Sequence, residues 1–136
     1  MMHTILFVDD EISSSEALRL LMEAKGFRYE YRTNMTDAME YLREHRVNLL
    51  VSDIMMPSGP DYPDIDSSET GYNFVSKVRQ EFPDVSVICL SVIGDQSKIR
   101  VLQRQGVLYI RKGETPLNNA ARLLEARATG VYHHGE

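Results

Sequence analysis

The sequence predicts an α/β domain: a doubly wound, five-stranded parallel sheet with helices on both faces. Three observations carry that reading. Five short apolar runs alternate strictly with five longer amphipathic stretches, the pattern of parallel strands joined by helical crossovers. Several of the runs are apolar along their length rather than at every second residue, which marks strands covered on both sides. The chain has 136 residues, enough to bury a real core and most simply one domain.

The elements follow in order. "TILFV" (4–8) is the first strand. "SSSEALRLLMEAKG" (13–26) is the first helix, with serines to cap it, Leu18, Leu21 and Met22 at helical spacing, and Gly26 to stop it. "FRYEYR" (27–32) is an aromatic-rich second strand. "TDAMEYLREH" (36–45) places Ala38, Tyr41, Leu42 and His45 on one helical face. "VNLLVSD" (47–53) is the third strand. Phe74, Val75, Val78 and Phe82 mark a helix that ends near Pro83. "VSVICLS" (85–91) is the fourth strand, and "DQSKIRVLQRQG" (95–106) a rather polar helix closed by Gly106. "VLYIRK" (107–112) is the fifth strand. The last helix has Thr115 as its cap, Pro116 at its first position, and Leu117, Ala120, Ala121 and Leu124 on one face. The domain thus spans 1–129, and 130–136 reads as a frayed tail.

Composition narrows the function classes. A net charge of −5 argues against this domain gripping nucleic acid by itself. No apolar run approaches the roughly 20 residues of a membrane-spanning helix, and the start lacks a signal peptide's layout. The single cysteine, Cys89, excludes an internal disulfide and fits a reducing cytoplasm; inside an apolar strand it reads as a packed thiol. His3, His45, His133 and His134 show no metal-ligand spacing, and Met22, Met35 and Met39 read as core or helix filler.

In open α/β sheets, ligands bind at the carboxyl ends of the strands. Those ends carry Asp9 and Asp10 (strand one), Asp53 (three), Ser91 (four) and Lys112 (five). Three carboxylates on one rim repel one another unless a cation joins them, and oxygen ligands suit Mg²⁺. A hydroxyl and a compact ammonium are what a phosphoryl group needs beyond the metal. One carboxylate in such a site can attack phosphorus and form an aspartyl phosphate.

Here the chain resembles the receiver domain of bacterial two-component response regulators, of the chemotaxis-regulator type. "FVDDE", "SDIMMP", "CLS" and "YIRK" stand in the family's order at strand ends. Their spacings also match: 43 residues from Asp10 to Asp53, 38 to Ser91 and 21 to Lys112. The resemblance implies a flavodoxin-like sheet of order 2-1-3-4-5. It also implies Asp53 as phosphoryl acceptor, Asp10 as a direct Mg²⁺ ligand, Asp9 supporting through water or hydrogen bonds, and the Met55 carbonyl as a further ligand. Ser91 corresponds to the family's switch hydroxyl, Lys112 to its active-site lysine, and Tyr109 to the aromatic that swings inward on activation. The partners implied are a sensor histidine kinase or histidine phosphotransfer protein and a downstream target. The target is bound on the face of helix four, strand five and helix five, where Lys98, Arg100, Arg104 and Arg111 fall.

Four departures individualise the chain. Gly113 stands where the family usually has a cis proline; a non-proline cis bond costs about 2.5–4 kcal/mol, so a trans bond is expected here. Val92 should narrow access to Asp53, and apolar Met55 and Ile93 suggest slow loss of the phosphoryl group. From Pro57 to Gly71 the chain runs fourteen residues, about ten more than the family's usual connection. This 57–70 segment carries Pro57, Pro60 and Pro63 with Asp61, Asp64, Asp66 and Glu69, and reads as an acidic loop. It is either a solvated tether or a lid over Asp53. Two rival functions are a degenerate receiver used only as a binding module and a Mg²⁺-dependent phosphohydrolase with an aspartate nucleophile. The intact Asp10, Asp53, Ser91 and Lys112 oppose the first. Met55, where the second needs an acid, opposes that one. A receiver is thus no enzyme beyond its own phosphorylation and dephosphorylation.

Overall fold

The computed structural model describes residues 3–54, 67–91 and 96–130, with Ile12, 67–70 and Ser91 described as backbone alone. Strands β1 (Thr4–Val8), β2 (Arg28–Arg32), β3 (Leu49–Ser52), β4 (Ser86–Ser91) and β5 (Leu108–Arg111) are all parallel, in the order β2-β1-β3-β4-β5. Between them run α1 (Glu16–Ala24), α2 (Met35–Glu44), α3 (Ser67–Glu81) and α4 (Gln96–Arg104), and α5 (Leu117–Thr129) closes the fold. A 3-10 turn, Ile12–Ser15, leads into α1. The expected class and strand order are both found.

Successive strand residues point to opposite sides of a sheet, and both sides here are covered. Leu6, Val8, Leu50, Val87 and Cys89 join α2, α3 and α4 in one core. Ile5, Phe7, Leu49, Val51, Ile88 and Ile110 join α1 and α5 in the other. This is why the central strands β1, β3 and β4 are largely apolar. Strand order reverses direction at β1, whose neighbours are β2 and β3, so the crevice for a ligand opens above the ends of β1 and β3.

One close approach shapes that crevice. Gly71 of α3 lies against the backbone of Ile54, just past β3, where any Cβ would overlap the Ile54 carbonyl. Only glycine lets the helix come so near the strand end.

Several helix ends differ from the sequence reading. Ser15 is the N-cap residue of α1, yet its side chain makes no capping hydrogen bond; it accepts one from Arg19 Nε at 3.1 Å. Pro116, with ψ 145°, is the N-cap of α5, so Thr115 is displaced from that role and the helix starts at Leu117. Leu117 is exposed rather than on the buried face. His45 leaves α2 with extended backbone (φ −133°, ψ 151°) and stacks on Tyr41 at 4.2 Å instead of continuing the buried face. Ser67–Thr70, read as part of the acidic loop, already belong to α3, since this stretch carries neither proline nor glycine.

Candidate functional site

The sheet ladder carries the acids to the rim. Past the last paired residues Val8 and Ser52, Asp53 N–H donates to Val8 O at 2.9 Å and Asp9 N–H to Arg32 O at 3.1 Å. Asp9 and Asp53 are thereby fixed by backbone, and both are buried. Lys112 follows β5, two strands away from β3, a gap of roughly 10 Å across the sheet. Its side chain spans that gap: Nζ donates to Asp53 Oδ2 at 2.7 Å and to Asp9 Oδ2 at 2.9 Å. Burial alone pulls the Lys112 ammonium down. The hydrogen bonds and charges of Asp53 and Asp9 outweigh that and hold it above the ordinary lysine value.

Asp9 is fully engaged by protein donors. Its Oδ1 accepts from Glu11 N–H at 2.9 Å, and its Oδ2 also accepts from Ser14 Oγ at 2.6 Å. Asp10 is treated differently. Partial burial first, then the charges of Asp9 and Asp53, raise its carboxyl above the ordinary 3.8. Carboxylate oxygens of Asp9, Asp10 and Asp53 lie within 4.8 Å of one another. Three carboxylates facing one ammonium leave an excess of two negative charges. That excess and the all-oxygen donor set fit a hard divalent cation.

The remaining expected residues fall as follows. Ser91 ends β4, opposite Arg111 in the β4–β5 register. Tyr109 of β5 is half-buried against the α2–α3–α4 core, and its phenol is raised, by burial first and then by Tyr72. Cys89 is buried, with its thiol pushed up to about 12 by burial and then by Asp53. No cis peptide occurs among the described residues, and Gly113 has φ +80°, so glycine replaces the cis proline by its left-handed backbone. Met55, Val92, Ile93 and the 57–66 part of the acidic segment lie outside the described residues. Lys98, Arg100, Arg104 and Arg111 are exposed on α4 and β5, and Val101 of α4 and Leu117 of α5 are exposed apolar residues. Lys98 Nζ stands 5.3 Å from the Tyr72 ring centre, and Arg111 pairs with Glu114 at 3.6 Å. Among the described residues no helix is long and apolar enough to cross a membrane.

Ser14 is the site residue the sequence did not single out. Besides donating to Asp9, its Oγ accepts from Lys112 Nζ at 3.3 Å. The signal was present as a hydroxyl shortly after the acid pair, but in a triple serine before a helix it reads as a cap.

Comparison with known proteins agrees with this geometry. Residues 5–125 match the family model for the response regulator receiver domain. The chain is 34% identical over 94 residues to response regulator Rre1 of Synechocystis sp., covering 67% of this chain and 36% of that protein. It is 30% identical over 123 residues to response regulator GtcR of Aneurinibacillus migulanus, covering 90% and 47%. It thus spans less than half the length of either relative. Among solved structures, a CheY-like receiver domain protein from Methanospirillum hungatei superposes with a TM-score of 0.79 at 16% identity, covering 96% of each chain. A response regulator from Thermotoga maritima gives 0.77 at 21% identity, covering 95% of this chain and 99% of that one. With its acid cluster, its lysine and its strand order, this chain belongs to the response regulator receiver domain family.

Proposed function

We propose that this receiver accepts a phosphoryl group on Asp53 from a sensor histidine kinase or a histidine phosphotransfer protein, in the cytoplasm. The observation that carries the reading is the Lys112 ammonium held between Asp53 and Asp9 beside the under-neutralised Asp10. Asp10 and Asp53 would hold Mg²⁺ directly and Asp9 would support it, with the Met55 carbonyl as the family's further ligand. When bound, the ion neutralises the phosphoryl oxygens and the crowded carboxylates. An Asp53 carboxylate oxygen attacks phosphorus in line. The new O–P bond forms as the donor's N–P bond breaks, and the electron pair leaves with the imidazole. Lys112 offers its positive charge to the equatorial oxygens of the group in flight.

The output is a population shift. A phosphoryl group on Asp53 draws the Ser91 hydroxyl inward, and Tyr109, already half-buried, moves into the space vacated. The face of α4, β5 and α5, with its exposed arginines, then changes its affinity for a target. Neither direct nucleic-acid binding nor a membrane enters this scheme.

Intact-mass spectrometry after treatment with acetyl phosphate and Mg²⁺ tests the acceptor role. The wild type should gain one phosphoryl group, and Asp53→Asn should gain none. Absence of any gain in the wild type would replace this reading with that of a phosphorylation-independent binding module.

A further inference from the structure

We infer that Ser14 is a positioning residue for phosphoryl transfer, the third support of Lys112 and the clamp on Asp9; this rests on the reading of Asp53 as phosphoryl acceptor. The three consecutive serines before α1 have three different surroundings. Ser13 is exposed, and Ser15 is buried and bonded to Arg19. Ser14 alone turns toward the acid cluster, through the 3-10 turn that follows Asp10.

An ammonium has three protons to donate. Lys112 directs them at Asp53 Oδ2 (2.7 Å), Asp9 Oδ2 (2.9 Å) and Ser14 Oγ (3.3 Å). Ser14 in turn donates to that same Asp9 oxygen at 2.6 Å, a charge-assisted bond. Lys112, Asp9 and Ser14 therefore form a closed triangle with Asp53 outside it. When Asp53 becomes an acyl phosphate it loses its carboxylate charge, and one of the lysine's three anchors changes in kind. The two that phosphoryl transfer leaves intact are Asp9 and Ser14. They keep Nζ above Asp53 while its third proton turns from the carboxylate to a phosphoryl oxygen.

The hydroxyl also sets the direction of Asp9. With Oδ1 tied to Glu11 N–H and Oδ2 to Ser14, the Asp9 carboxylate plane is fixed at both oxygens. Removing the hydroxyl leaves Oδ2 to Lys112 alone, and the lysine is then drawn toward Asp9 rather than shared with Asp53.

The test measures the rate of phosphoryl gain from acetyl phosphate at saturating Mg²⁺ in the full chain, by intact mass. Ser14→Ala should label about ten-fold more slowly, the low end of the range for one lost hydrogen bond to a charged group. Ser14→Thr, which keeps the hydroxyl, should restore most of the rate, and Ser13→Ala should match the wild type. Ser14 is exposed, so the thermal midpoint of the metal-free Ala variant should stay within about 2 °C of wild type, separating positioning from folding. Labelling of Ser14→Ala at the wild-type rate, or failure of the Thr variant to restore it, would overturn the positioning role. A wild type that gains no phosphoryl group at all would remove the acceptor reading beneath it.

Discussion

Asp10 and Asp9 are neighbours in sequence with opposite provision. Asp9 has backbone, hydroxyl and ammonium donors, whereas Asp10 is raised above 3.8 by partial burial and by the charges of Asp9 and Asp53. A carboxyl raised in the folded state binds its proton more tightly there than in the unfolded chain. Ionised Asp10 therefore opposes folding at neutral pH, and that opposition fades as pH falls through the raised value toward 3.8. Asp10→Asn should accordingly raise the melting temperature of the metal-free protein at pH 7 by about 2 °C, a modest figure for a screened group. The gain should shrink at pH 4, and saturating Mg²⁺ should reverse the order by stabilising only the wild type. Identical melting curves at pH 7 without metal would contradict this account. At this scale the four charged residues of the site were legible, because they fall at the carboxyl ends of strands one, three and five. Ser14 was not, because its partner Asp9 is reached only through the geometry of the 3-10 turn.

Among the elements, α3 is tied down at the edge of the sheet remote from the acids. Arg79 Nε donates to Gln105 O at 3.0 Å, and Nη1 donates to Val85 O at 2.8 Å and to Pro83 O at 3.3 Å. One guanidinium thus joins α3 to the start of β4 and to the turn before β5, a fork that an ammonium cannot reproduce. Urea denaturation of Arg79→Ala should show a loss of about 2 kcal/mol, since charged hydrogen bonds to carbonyls are lost together. Arg79→Lys should recover less than half of it. A full recovery by lysine would mean that charge and not the fork matters. Element existence was legible from periodicity, but the ends were not. Backbone angles decide a cap, and Pro116 is extended where the sequence placed it inside α5. A run of acids likewise hid the start of α3, because Ser67–Thr70 are equally at home in a solvated loop or a first helical turn.

For the molecule as a whole, Cys89 is a reporter built into the middle of the sheet. It is buried, with its thiol pushed up to about 12, so the folded protein presents almost no thiolate at pH 8. Modification by a thiol reagent should therefore follow the global unfolding transition seen by circular dichroism in urea. Labelling well before that transition would show local opening of β4 instead. The two cores on either side of the sheet were legible from the apolar runs of the central strands. The strand order rested on family resemblance, because periodicity fixes what a strand buries and not which strand lies beside it. The close approach of Gly71 to Ile54 has a consequence for chain length. Gly71 sits one helical turn inside α3, so Ser67 is only roughly 6 Å along the helix from the contact with Ile54. The chain leaves β3 and returns to α3 at nearly the same place, which makes the connection a closed loop in the polymer sense. Its closure entropy grows only with the logarithm of its length, about 0.6 kcal/mol per doubling. The fold therefore tolerates a long connection between β3 and α3 with little loss of stability, and its length can vary without disturbing the sheet that holds the site.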